Sequence, residues 1–189
     1  MSFFFADELV LCRKCYEEMG PKWIRWKIGK VQCTALYAYG GKIRETLYQF
    51  KGCGDYELYP IFFHFAAPVL RMKYHDYLVV PAPSSASHNE ARGFNQVESM
   101  CKDLHLQIIH PLTKTAESKQ SDLSARQRAE VGKIIDWVPH HNIKDRKILL
   151  VDDVYTTGST IKACLKLLLA HGAKKVEVLV MSKTPKRRV

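Results

Sequence analysis

The apolar positions of the chain change period several times, and each change marks an element. Ile148 to Val151 is an unbroken apolar run with β-branched ends, the pattern of a strand buried on both faces of a parallel sheet. Beyond it, Ile161, Cys164, Leu165, Leu168 and Leu169 recur at helical spacing and predict a helix with one apolar stripe. Gly172 offers the left-handed position that ends such a helix, and Val176 to Val180 reads as the next strand. Earlier, Ile43, Leu47 and Phe50 share one face of a helix predicted over Gly40 to Lys51, which Gly52 and Gly54 break. Tyr77 to Val80 is another apolar strand, and a helix is expected to start near Asn95. Strand–helix–strand units of this kind predict an α/β fold with a parallel sheet. Residues 1–34, with Cys12 and Cys15 and then Trp23 and Trp26 among basic residues, read as a separate small appendage.

Between the strand at 148–151 and the helix that follows, the chain carries its most distinctive chemistry. In parallel units, ligands collect outside the carboxyl ends of the strands. Val154, Tyr155, Thr156, Thr157, Gly158, Ser159 and Thr160 lie at that end and open the helix. Such a turn offers free backbone N–H groups, a favourable dipole and four hydroxyls, and Gly158 removes a side chain where the backbone must approach an anion. These are the parts of a phosphate cradle. Asp152 and Asp153 repel phosphate, yet ionised carboxylates accept hydrogen bonds well from a vicinal diol. A diol on one side and a phosphate on the other describe a ribose 5-phosphate. A solvated acidic loop is the plainer reading of the same residues. A P-loop ATPase is excluded because none of the ten glycines stands in a GxxxxGK[ST] context. A response-regulator receiver is excluded because its acidic pair lies near its start.

A second strand-to-helix connection follows Pro81-Ala-Pro83 and should rise at the same sheet edge. Pro83, Ser84, Arg92 and Asn95 are its candidates for holding a pyrophosphate; Arg92 suits the fork, or equally caps loop carbonyls. Residues 114–132 are rich in Lys, Arg, Ser and Gln and poor in apolar residues, the composition of a lid. Lys119, Arg126 and Arg128 are its anion-contact candidates, each equally readable as a solvated charge.

Overall composition, 47% apolar and 25% charged, is that of a globular protein. The balance of 29 Lys+Arg against 19 Asp+Glu gives +10, which favours polyanionic partners or marks a merely basic protein. The basic tail from Lys183 admits the same two readings. The apolar stretch IFFHFAAPVL at 61–70 is too short for a membrane span. MSFFFADEL lacks the basic start of a secretory signal, and six cysteines without such a signal predict reduced thiols in the cytoplasm.

Hydrophobic run, Asp-Asp, two residues and Thr-Thr-Gly-Ser-Thr resemble the phosphoribosyl pyrophosphate (PRPP) loop of type I phosphoribosyltransferases. Together with V-P-x-P at 80–83, Arg-Gly-Phe-Asn-Gln at 92–96, YQFKGCGDY at 48–56 and KTAESKQSDLSARQRAEVG at 114–132, the pattern is similar to the ComF family of competence proteins. The resemblance covers residues 36–185. It implies a type I phosphoribosyltransferase-like fold over 35–189, a central mostly parallel sheet with flanking helices, behind the amino-terminal appendage. It also implies that Asp152 and Asp153 hold the ribose hydroxyls and that residues 154–160 hold the 5-phosphate. Magnesium would enter with PRPP. Implied partners are PRPP or a nucleotide, single-stranded DNA and a ComFA-type helicase, in DNA uptake during natural transformation. The alternative is an active phosphoribosyltransferase, amidophosphoribosyltransferase-like, with an unidentified nitrogen acceptor. A nucleotide sensor ranks below both, since no helix-turn-helix pattern stands out. Trp23, Trp26 and Tyr39 serve as stacking aromatics for DNA or, more simply, as core. The family's zinc module needs four ligands from two CxxC pairs, and only Cys12 and Cys15 form one here, so no zinc is expected.

Overall fold

The computed structural model describes residues 17–84, 93–115 and 134–185. In chain order it contains β1 (Ile24–Ile28), β2 (Val31–Ala38), α1 (Gly41–Gly52), α2 (Tyr59–Phe63), α3 (Ala67–Tyr74), β3 (Tyr77–Pro81), α4 (Gln96–Cys101), β4 (Leu112–Thr115), β5 (Ile134–Trp137), β6 (Lys147–Tyr155), α5 (Ser159–Ala170) and β7 (Lys175–Lys183). Five strands form one sheet in the order β1-β2-β7-β6-β3, and β4 and β5 pair as a separate antiparallel ribbon. β2, β7, β6 and β3 run parallel, while β1 closes one edge antiparallel to β2. The sheet is therefore mostly parallel, as expected.

Strand periodicity divides the core into two layers. Val79, Leu149, Val151, Leu179 and Met181 face one way and pack against the residues of α1 to α4, including Leu47, Phe50, Phe62 and Met100. Leu78, Val80, Ile148, Leu150, Val178 and Val180 face the other way and pack against Ile161, Cys164, Leu165 and Leu168 of α5. Helices thus cover both faces, which is why the central strands read as apolar runs.

The first strand starts well before the boundary drawn from sequence. β1 and β2 form a hairpin, and Ile24 to Ala35 pair within it, so a division at 34/35 falls inside β2. Cys12 and Cys15 lie outside the described residues.

Candidate functional site

β6 carries the acidic pair to the carboxyl edge of the sheet. It extends through Asp152 and Asp153 to Tyr155, well past the apolar run, because its ladder with β7 continues to Tyr155 opposite Lys183. Alternation along a strand then sends the two carboxylates to opposite faces. Asp153, 7% exposed, lies on the α1–α4 side. There Lys51 of α1 forms an ion pair with it, Gln96 of α4 donates to the same oxygen, and the Val154 N–H donates to the other. Asp152 lies on the α5 side and accepts the Asp153 N–H at 2.9 Å. Burial, reinforced by the charge of Asp153, pushes its carboxyl up to about 7, with Lys51 and Lys114 opposing. A carboxylate accepts about four hydrogen bonds. Asp153 already has three, whereas Asp152 keeps most of its capacity.

The turn after β6 is built to leave donors open. Gly158 is the residue before α5, sits at φ +74° and has no side chain to cap the helix, while Thr157 Oγ1 accepts the Ser159 N–H at 3.5 Å. The first-turn N–H groups of this helix therefore lack intrahelical acceptors. Thr156, Thr157 and Ser159 are exposed, and Thr160 is half-buried. Thr157 Oγ1 donates to Ser159 Oγ at 3.3 Å, so these hydroxyls sit together at the helix start. Glycine is required at 158 for its positive φ and because a Cβ would run into the Tyr155 ring and hydroxyl. The close approach is thus to Tyr155, where the sequence suggested an anion. Tyr155 is itself braced: its ring lies 4.9 Å from that of Trp26, and its carbonyl accepts the Thr184 N–H at 3.0 Å and hydroxyl at 3.1 Å.

Pro83 and Ser84 follow β3, whose neighbour in the sheet is β6, so they rise beside the acidic pair. Asn95 caps α4, its side chain accepting the Glu98 N–H at 3.3 Å. Arg92, Lys119, Arg126 and Arg128 lie outside the described residues. Among the aromatics, Trp23 and Tyr39 pack against the first core layer and Trp26 against the second. Lys51 and Gln96 were not singled out from sequence. Both stand in the quoted family stretches, Lys51 in YQFKGCGDY and Gln96 in RGFNQ, but nothing local marks them as partners of a residue on β6. The same two stretches also meet at a polar cavity of about 510 Å³, where Gly54 and Tyr56 face Gly93, Asn95, Glu98 and Lys102. Lys102 Nζ donates to the Tyr56 hydroxyl at 2.5 Å there. Cys33 is buried and Cys53 exposed, and among the described residues no group of three or more His, Cys, Asp or Glu could hold a metal. No helix of the described residues is long and apolar enough to cross a membrane.

A family model for the phosphoribosyl transferase domain matches residues 106–189, which contain this loop. Sheet, loop and domain match define a phosphoribosyltransferase-like protein of type I. The competence protein ComFC of Bacillus subtilis (strain 168) is 32% identical over 164 residues, covering 86% of this chain and 67% of that protein. ComFC of Streptococcus pneumoniae (strain ATCC BAA-255 / R6) is 32% identical over 156 residues, 82% of this chain and 69% of that protein. The DNA utilization protein YhgH of Escherichia coli (strain K12) is 35% identical over 112 residues, 56% of this chain and 49% of that protein. The chain belongs to the ComF family and is of the ComFC type, spanning about two thirds of the length of the ComFC proteins.

Proposed function

We propose that this protein binds PRPP, or the ribose 5-phosphate group of a nucleotide, in the cytoplasm, as part of DNA uptake in natural transformation. One observation carries the reading: the Asp152 carboxylate, which accepts the Asp153 N–H and keeps further capacity, and the hydroxyl-lined start of α5 lie on the same face of the sheet at its carboxyl edge. The 5-phosphate would take the N–H groups and hydroxyls of residues 156–160, with Val154 and Tyr155 setting their position. Asp152 would accept from the ribose hydroxyls, and Asp153 would contribute its one remaining lone pair while keeping β6 in place. Magnesium arrives with PRPP and lowers the charge of the pyrophosphate. Pro83, Ser84, Arg92 and Asn95, with Lys119, Arg126 and Arg128 from the chain between β4 and β5, complete the proposed pyrophosphate contacts. The names of the relatives, competence and DNA utilization, support the pathway. The net charge of +10 supports contact with single-stranded DNA, and a ComFA-type helicase is the proposed companion.

Calorimetric titration with magnesium PRPP tests the site. The parent chain is expected to saturate, and Asp152→Ala to weaken binding about tenfold or more, since charge-assisted hydrogen bonds are lost. A folded Asp152→Ala chain that binds PRPP like the parent contradicts the reading. Release of pyrophosphate on adding ammonia or a nucleobase would establish turnover in addition to binding.

A further inference from the structure

We propose that a groove at the amino-terminal end of β7, remote from the loop, docks an acidic amphipathic helix of a partner protein. β7 spans Lys175–Lys183, which places its start about 26 Å from the edge that carries the loop. The groove measures about 600 Å³. Its floor is apolar: Ile28 and Val31 from the β1–β2 hairpin, Leu165 and Leu169 from α5, and Val176 from β7. Leu169 belongs to the apolar stripe of the helix predicted from sequence, yet it is 50% exposed. An apolar concavity with an open leucine at its side is the form of an interaction site.

Charge selects the occupant. Lys30, Lys162, Lys174 and Lys175 border the groove. The carboxylate in its lining, Glu177, is already taken by Lys73 at 3.0 Å, Lys175 at 2.7 Å and the hydroxyls of Tyr74 and Tyr77. Those contacts leave Lys30, Lys162 and Lys174 to act on whatever enters. Among the described residues no aromatic side chain lines the groove, so they offer the bases of a single strand no platform on which to stack. The backbones of β2, β7 and α5 are paired within the sheet and the helix, so the floor offers side chains and few open backbone groups. A helix brings its own backbone bonds, lays an apolar stripe on such a floor and can set carboxylates against the lysines.

The test uses the full chain and a labelled peptide of about 18 residues, roughly 27 Å long as a helix. It carries leucine at i, i+3, i+4 and i+7 positions with glutamate and alanine elsewhere. Fluorescence anisotropy should show saturable binding. Leu169→Asp should weaken it about tenfold, as removal of one buried leucine contact does. The double variant Lys162→Glu, Lys174→Glu should also weaken it, and a peptide with lysine replacing glutamate should fail to bind. Unchanged thermal melts of the variants establish that their fold is intact. Equal binding of the lysine peptide, full affinity in the double variant, or displacement of the peptide by oligothymidylate would each overturn the proposal.

Discussion

Burial and the charge of Asp153 hold the Asp152 carboxyl at about 7, so near neutral pH it is divided between proton donor and acceptor. Only the ionised form accepts from both hydroxyls of a diol. PRPP affinity is therefore expected to rise between pH 6 and 8, more steeply in the parent than in Asp152→Asn, where only the ligand's own phosphates titrate. Calorimetry across that range checks it; parallel profiles would remove Asp152 from the site. The same shift has a stability consequence of opposite sign. A carboxyl raised in the folded chain favours folding while protonated, and that contribution fades as pH rises from about 4 through 7. Melting temperature should fall over that interval in the parent relative to Asp152→Asn. At Gly158, alanine must adopt a positive φ and displace Tyr155. The expected cost is about 1–3 kcal/mol in urea unfolding, with loss of PRPP binding.

β6 packs against the helices of both faces, and Lys51 ties it to α1 by an ion pair with Asp153. The Lys51 side chain is 31% exposed, so the pair is less desolvated than a deep one. Lys51→Met should destabilise by about 2 kcal/mol, below the range for fully buried pairs. Asp153→Asn in the same chain should recover part of that loss, measured as a double-mutant cycle in urea. The apolar run at 148–151 and the helical stripe made this strand–turn–helix unit legible, as did the hydroxyl turn and Gly172 at φ +81°. The rest was not local. Asp152 and Asp153 look like the start of a loop because polar side chains interrupt the apolar run, yet ladder bonds to β7 carry the strand on to Tyr155. Lys51 and Gln96 meet Asp153 across 102 and 57 positions respectively, and no spacing encodes such pairings (153 − 51 = 102; 153 − 96 = 57). Leu169 follows the stripe by period but lies at the end of α5, where the groove leaves it half open.

At the scale of the whole molecule, one sheet carries two regions with different proposed partners: the acidic pair and hydroxyl turn at the carboxyl edge, and the lysine-rimmed groove at the other. The net charge of +10 acts over the surface as a whole. Binding of oligothymidylate should weaken steeply as salt rises, with a log–log slope of about −0.7 for each phosphate neutralised. A flat salt profile would remove the electrostatic argument for DNA. The central claim is that one ribose 5-phosphate group spans Asp152 and the start of α5. A crystal structure with ribose 5-phosphate bound tests it most directly. The account predicts the phosphate among the N–H groups of residues 157–160 and the sugar hydroxyls on Asp152. A phosphate seated instead in the cavity beside Tyr56 and Lys102, with the α5 turn empty, would contradict it.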